Sequence, residues 1–156
     1  MHILCTMVAK SVNQIHRFKY DRCEGGYWDY ADIGGRYDRI IPVSKNVTDL
    51  FEGINYPFND DGYADNGFPF HTIENNLNLK YVSIARIRNI DAAEVARLEE
   101  HHLINPYHPY SFILEEEDGM QSEEYMVDEV GTGPLMDFIN DPRHASYYVA
   151  VIDYHV

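Results

Sequence analysis

A chain of 156 residues is long enough to bury one core without disulfides, and 45% apolar content with 13 Tyr and 7 Phe excludes general disorder even at a net charge of −14. No apolar run approaches the roughly 18 residues that span a bilayer, and two cysteines, Cys5 and Cys23, are too few for a disulfide framework. MHILCTMVAK lacks the basic start of a signal peptide, so a single acidic domain, 1–156, in a reducing cytoplasm is expected.

Residues 2–9 (HILCTMVA) form a short apolar, partly β-branched run and predict a buried strand. Residues 11–20 are polar and read as loop or helix. The stretch 25–39, GGYWDYADIGGRYDR, holds the only Trp and two Gly–Gly pairs, which predicts irregular chain with at most a short strand. RIIPV at 39–43 is strand-like, with Pro42 at its end or on an edge. VTDLFEGI at 47–54 predicts a short helix behind Asn46, and 56–70 a turn-rich loop. KYVSIARI at 80–87 alternates and predicts a strand, after which Asp91 caps a helix over 92–102. Residues 110–116 and 124–130 flank Asp118–Gly119 and predict an antiparallel hairpin. PLMDFI at 134–139 predicts a short helix and YYVAVIDYHV at 147–156 a final strand. Together these predict an α+β fold, with a mainly antiparallel sheet of about five or six strands and two or three helices.

Charge is unevenly placed. Residues 1–45 carry seven Lys or Arg against five acids, a net of +2, whereas 46–156 carry five against twenty-one, a net of −16. Such a body repels phosphate, so direct duplex binding is not expected and a large partner is expected to be basic. The densest acidic run, 115–129, holds Glu115, Glu116, Glu117, Asp118, Glu123, Glu124, Asp128 and Glu129. It is either a solvated surface or an imitation of a phosphate array that occupies the basic groove of a nucleic-acid-binding protein.

The basic, aromatic exception is 25–39. Gly34–Gly35 lets backbone N–H groups approach a ligand, Arg36 and Arg39 can hold a phosphate or carboxylate, and Tyr27, Trp28, Tyr30 and Tyr37 offer stacking faces. The same parts equally build an aromatic core corner in which Arg36 pairs with Asp29 or Asp32. On the last strand, Asp153 and His155 at i, i+2 share a face. They can orient an imidazole as a base, ligate a metal, or simply emerge into solvent. Walker A, G-x-G-x-x-G, G-x-S-x-G, H-E-x-x-H and paired C-x-x-C motifs do not occur. His101, His102 and His108 read as residues near a helix end, and the loop 59–67 (NDDGYADNG) misses the EF-hand spacing. No cofactor and no metal are therefore expected. Cys5 sits in a predicted buried strand, where a thiol is inert, and no sequence feature supplies Cys23 with a base.

The run W-D-Y-A-D-I-G-G-R-Y at 28–37, with I-D-Y-H-V at 152–156, resembles a family of small uncharacterised proteins found mostly in bacteriophages and some bacteria. Those proteins carry an early W-D-x-Y-x-I-G-G-R-[WY] motif and a C-terminal D-x-H-[IV]. Here Ala31 stands where that pattern has Tyr, with Tyr30 adjacent, and Asp118–Gly119 is followed by Met120–Gln121. The resemblance implies a phage accessory protein with no agreed reaction. It also implies that Trp28, Asp29, Gly34, Gly35, Arg36, Asp153 and His155 meet in the fold.

Three functions follow as expectations. The first is a non-catalytic, anti-CRISPR-like inhibitor that binds a basic bacterial defence or nucleic-acid-handling protein through its acidic surface. The second is a pocket for a small anionic ligand, such as a nucleotide signal, formed by Trp28, Tyr30, Gly34, Gly35, Arg36, Arg39, Asp153 and His155. The third is phosphoester hydrolysis by Asp153 and His155 beside Arg36.

Overall fold

The computed structural model describes residues 1–37, 41–44, 81–91, 93, 110–115 and 123–156. The readings at 47–54 and 56–70, almost all of 92–102, His101, His102, His108 and the turn at Asp118–Gly119 lie outside the described residues.

Two strands organise the chain. β1 (His2–Ala9) and β8 (Tyr148–His155) are each buried at seven of eight positions, and they pair antiparallel along their whole length, from His2 opposite His155 to Ala9 opposite Tyr148. Near-continuous apolar runs of this kind belong to strands covered on both faces. β6 (Tyr110–Glu115) lies parallel to β1 on its other side, and β7 (Glu124–Met126) closes that side antiparallel to β6. The second edge of β8 takes two short strands end to end. β2 (Tyr30–Ile33) pairs with residues 152–155 and β5 (Ile84–Arg86) with residues 148–150. Val151 joins them, its N–H donating to Ser83 O (2.9 Å) and its carbonyl accepting from Gly34 N–H (2.8 Å).

The six-stranded sheet is mixed, β1–β6 being its parallel pair, and the α+β class expected from the sequence is the one observed. β3 (Ile41–Pro42) and β4 (Tyr81–Val82) form a separate two-stranded pair, which leaves Pro42 off the main sheet as its missing N–H requires. The single strand predicted at 80–87 is instead two. Ser83 is the break, where the chain leaves β3 and joins β8.

Side-chain alternation divides the core into two layers. Ile3, Cys5, Met7, Ala150, Ile152 and Tyr154 face one side, where α1 (Val12–Glu24) covers them through Val12 and Ile15. Residues 11–20 were open between loop and helix. Ser11 decides it with a capping box, its hydroxyl accepting from Gln14 N–H while Gln14 Oε1 accepts from Ser11 N–H. Leu4, Val8, Phe112, Val149 and Val151 face the other side, beneath Leu135, Phe138 and Ile139 of α3 (Gly133–Asn140). The strand predicted over 124–130 ends at Met126, and Val127–Val130 form a single helical turn, α2. Asp128 and Glu129 in that first turn suit the positive end of a helix better than a strand interior.

Candidate functional site

Residues 25–37 of the aromatic stretch are drawn onto the end of the sheet by the terminal strand. β2 sets Tyr30 opposite His155 and Asp32 opposite Asp153. Just before it, Trp28 turns to the α1 side and is only 4% exposed. Its ring stacks on Tyr154 at a centroid distance of 4.2 Å, meets Phe18 edge-on at 5.8 Å, and lies under the guanidinium of Arg22. Its stacking face, expected to be offered to a ligand, is occupied by the protein itself.

The glycines answer to Asp153. Gly34 and Gly35 both have positive φ, 84° and 53°, where a β-carbon is strained. A β-carbon on Gly35 would also lie 2.6 Å from Asp153 Oδ2 and 2.7 Å from Asp153 Cβ. The backbone N–H of Arg36 donates to the same Oδ2 at 2.9 Å. The close approach foreseen for a ligand is made by a carboxylate of the terminal strand.

Asp153 is 2% exposed, and its other oxygen accepts from His2 Nδ1 at 2.8 Å. A carboxylate only accepts, so Nδ1 carries a proton, and Nε2 lies 3.2 Å from the hydroxyl of Tyr30. A second pair stands beside it. His155 Nδ1 donates to Asp29 Oδ2 at 2.8 Å, and the Met1 amino group lies 2.9 Å from His155 Nε2. The two imidazoles are 5.2 Å apart edge to face, and the Tyr30 ring stacks on His155 at 5.3 Å. Two carboxylate-oriented histidines and a phenol therefore share the outer end of the sheet. The carboxylates fix both rings, and the outward nitrogens meet the Tyr30 hydroxyl and the Met1 amino group.

Burial raises the Asp32 carboxyl above its ordinary value, with the Asp153 charge adding to the rise and Lys19 opposing it. Burial likewise lowers the Lys19 ammonium from 10.5 to about 8, against the attraction of Asp32. The Tyr37 phenol is raised by burial and by Asp153. Asp29, Asp32 and Asp153 are gathered here with the Met1 ammonium and Lys19 as their cationic neighbours.

Of the predicted ligand residues, the structure brings Tyr30, Gly34, Gly35, the Arg36 backbone, Asp153 and His155 together. The Arg36 side chain is exposed, and Arg39 lies outside the described residues. His2 was missed, since only the β1–β8 register shows that it faces Asp153. Among the described residues no three His, Cys, Asp or Glu side chains converge as a metal-ligand set. Burial raises the thiols of both Cys5 and Cys23, the opposite of activation.

The acidic run separates into two kinds of residue. Glu115 is 4% exposed, and Glu124 accepts from Ser111 Oγ (2.6 Å) and from the Tyr154 hydroxyl beneath α1. Burial and this carboxylate push the Tyr154 phenol up. Glu115 belongs to the interior, and half-buried Glu124 is held by these two hydroxyls, so neither stands free on the surface as the partner-binding reading expected. Glu123, Asp128 and Glu129 are exposed, while Glu116, Glu117 and Asp118 lie outside the described residues. Comparison with protein-family models, with curated proteins and with solved structures found no match to this chain.

Proposed function

We propose that the chain is a non-catalytic accessory protein, of the kind phages use against bacterial defence or nucleic-acid-handling proteins, and that it binds a basic partner through the acidic outer edge of its sheet. The observation that carries this reading is the composition of that edge. β7 and α2 expose Glu123, Asp128 and Glu129 around two apolar side chains, Tyr125 at 38% and Val130 at 44% exposure. Residues 123–142 contain six carboxylates and no Lys or Arg. Charged groups steer a basic partner and set specificity, and an exposed aromatic residue among them supplies contact area.

The test is capture of a partner from bacterial lysate by the tagged chain, at low salt and at about 0.5 M salt, where exposed charges are screened within a few ångströms. Wild type is expected to retain a basic protein at low salt and release it at high salt. The double reversal Asp128→Lys with Glu129→Lys is expected to lower capture at least tenfold. Capture that is indifferent to both salt and the reversal would contradict the reading.

A second reading rests on a separate observation, the Asp153–His2 and Asp29–His155 pairs. They suit metal-independent phosphoester cleavage, with one imidazole as base and the other as acid, each oriented by its carboxylate. Under this reading the chain hydrolyses bis(p-nitrophenyl) phosphate without added metal, with a bell-shaped pH profile that His2→Ala and His155→Ala each abolish. Absence of turnover, or turnover that survives both variants, removes it.

A further inference from the structure

The opposite end of the β1–β8 pair carries a cavity that none of these readings uses. It lies where Ala9 meets Tyr148, about seven residues and roughly 23 Å along the strand from His2 and His155. Its volume is about 370 Å³, and its walls include Lys10, Ser11, Asn13, Arg86, Ser146 and Tyr148. That size is at the lower end of pockets that take small organic ligands.

Three features of the wall point to one ligand chemistry. It holds two cations, Lys10 and Arg86, and no carboxylate, in a chain whose net charge is −14. Arg86 is fixed by its stacking over Tyr148, with its guanidinium carbon 5.0 Å from the ring centroid. Its Nε is shielded from solvent yet has no hydrogen-bond partner among the described residues. The remaining polar groups add donors of the same kind. Ser146 contributes a hydroxyl and Asn13 an amide. The first backbone N–H groups of α1, at Val12 and Asn13, have no intrahelical acceptor by position.

A wall of donors with two positive charges matches an acceptor-rich, tetrahedral anion, and Arg presents its fork to such oxygens. We infer that this cavity binds a small phosphate-bearing molecule, with Arg86 and Lys10 on the phosphate and the remaining volume holding the group esterified to it. The anion expected from the sequence is thereby moved from the stretch 25–39, where carboxylates crowd, to the far end of the sheet. The site is independent of the acidic edge, and its test stands apart from partner capture.

The experiment is amide NMR titration of the whole chain with inorganic phosphate, then with adenosine monophosphate, against chloride at equal ionic strength. Saturable shifts are expected at Val12, Asn13 and Arg86, with Asp29 and Tyr30 unmoved, and tighter binding of the nucleotide than of phosphate alone. Lys10→Glu changes an exposed residue and leaves the fold intact, and it is expected to weaken binding at least tenfold. Arg86→Gln is expected to weaken it further. Shifts that do not saturate, that appear equally at Asp29 and Tyr30, or that survive Lys10→Glu would overturn the assignment. Equal affinity for phosphate and nucleotide would overturn the part of it that places an ester group in the cavity.

Discussion

Trp28→Ala is expected to lower the unfolding free energy by about 4 kcal/mol, the usual cost of removing a buried indole and a large share of a domain's stability. The indole is 4% exposed and fills the space among Tyr154, Phe18 and the α1 end. Losing it exposes apolar surface on the terminal strand and leaves a void that rigid strand neighbours cannot collapse into. Urea denaturation monitored by circular dichroism measures the change. If Trp28 were instead a stacking platform for a ligand, the same substitution would cost under about 1 kcal/mol, as surface changes do. It would then act on ligand affinity alone.

Gly35→Ala is expected to cost about 3 kcal/mol, the sum of a left-handed backbone penalty and a buried overlap. The overlap is with Asp153, whose Oδ2 and Cβ would stand 2.6 and 2.7 Å from the new methyl. Asp153 cannot step aside without giving up His2 Nδ1 and the Arg36 N–H. Gly26→Ala separates the two contributions. Gly26 has φ 77° but nothing within 4 Å of an added β-carbon, so only the backbone penalty of about 1 kcal/mol applies. Equal costs at the two positions in urea denaturation would show that Asp153 does not press on Gly35.

What was legible in the sequence followed from local rules. β1 and β8 were readable because a strand covered on both faces leaves a near-continuous apolar run, and β6 because it was one arm of a hairpin predicted about Asp118–Gly119. The face shared by Asp153 and His155 was readable because strand alternation is strict. α1 was harder, for only Val12 and Ile15 of its thirteen residues are fully buried, although the Ser11–Gln14 capping box was there to be read. The remaining differences are non-local. Nothing near His2 in the chain announces its carboxylate, which arrives 151 residues later through strand register. Nothing near Glu124 distinguishes it from Glu123, yet the pairing of β6 with β7 and the neighbouring Tyr154 make one a half-buried acceptor and leave the other in solvent. The stretch 25–39 was ambiguous for the same reason. Glycine, Trp and Arg serve close approach whether the approaching group is a ligand or the chain's own last strand.

The central claim is that this stretch, as far as Tyr37, is bound to the terminal strand. Native-state hydrogen exchange at the amides of Gly34 and Arg36 tests it most directly. These donate to Val151 O at 2.8 Å and to Asp153 Oδ2 at 2.9 Å. They are predicted to exchange only through the cooperative opening that releases Val151 and Ile152 of β8, with the same opening free energy. Exchange at rates near those of an unprotected loop, while β8 remains protected, would contradict the account.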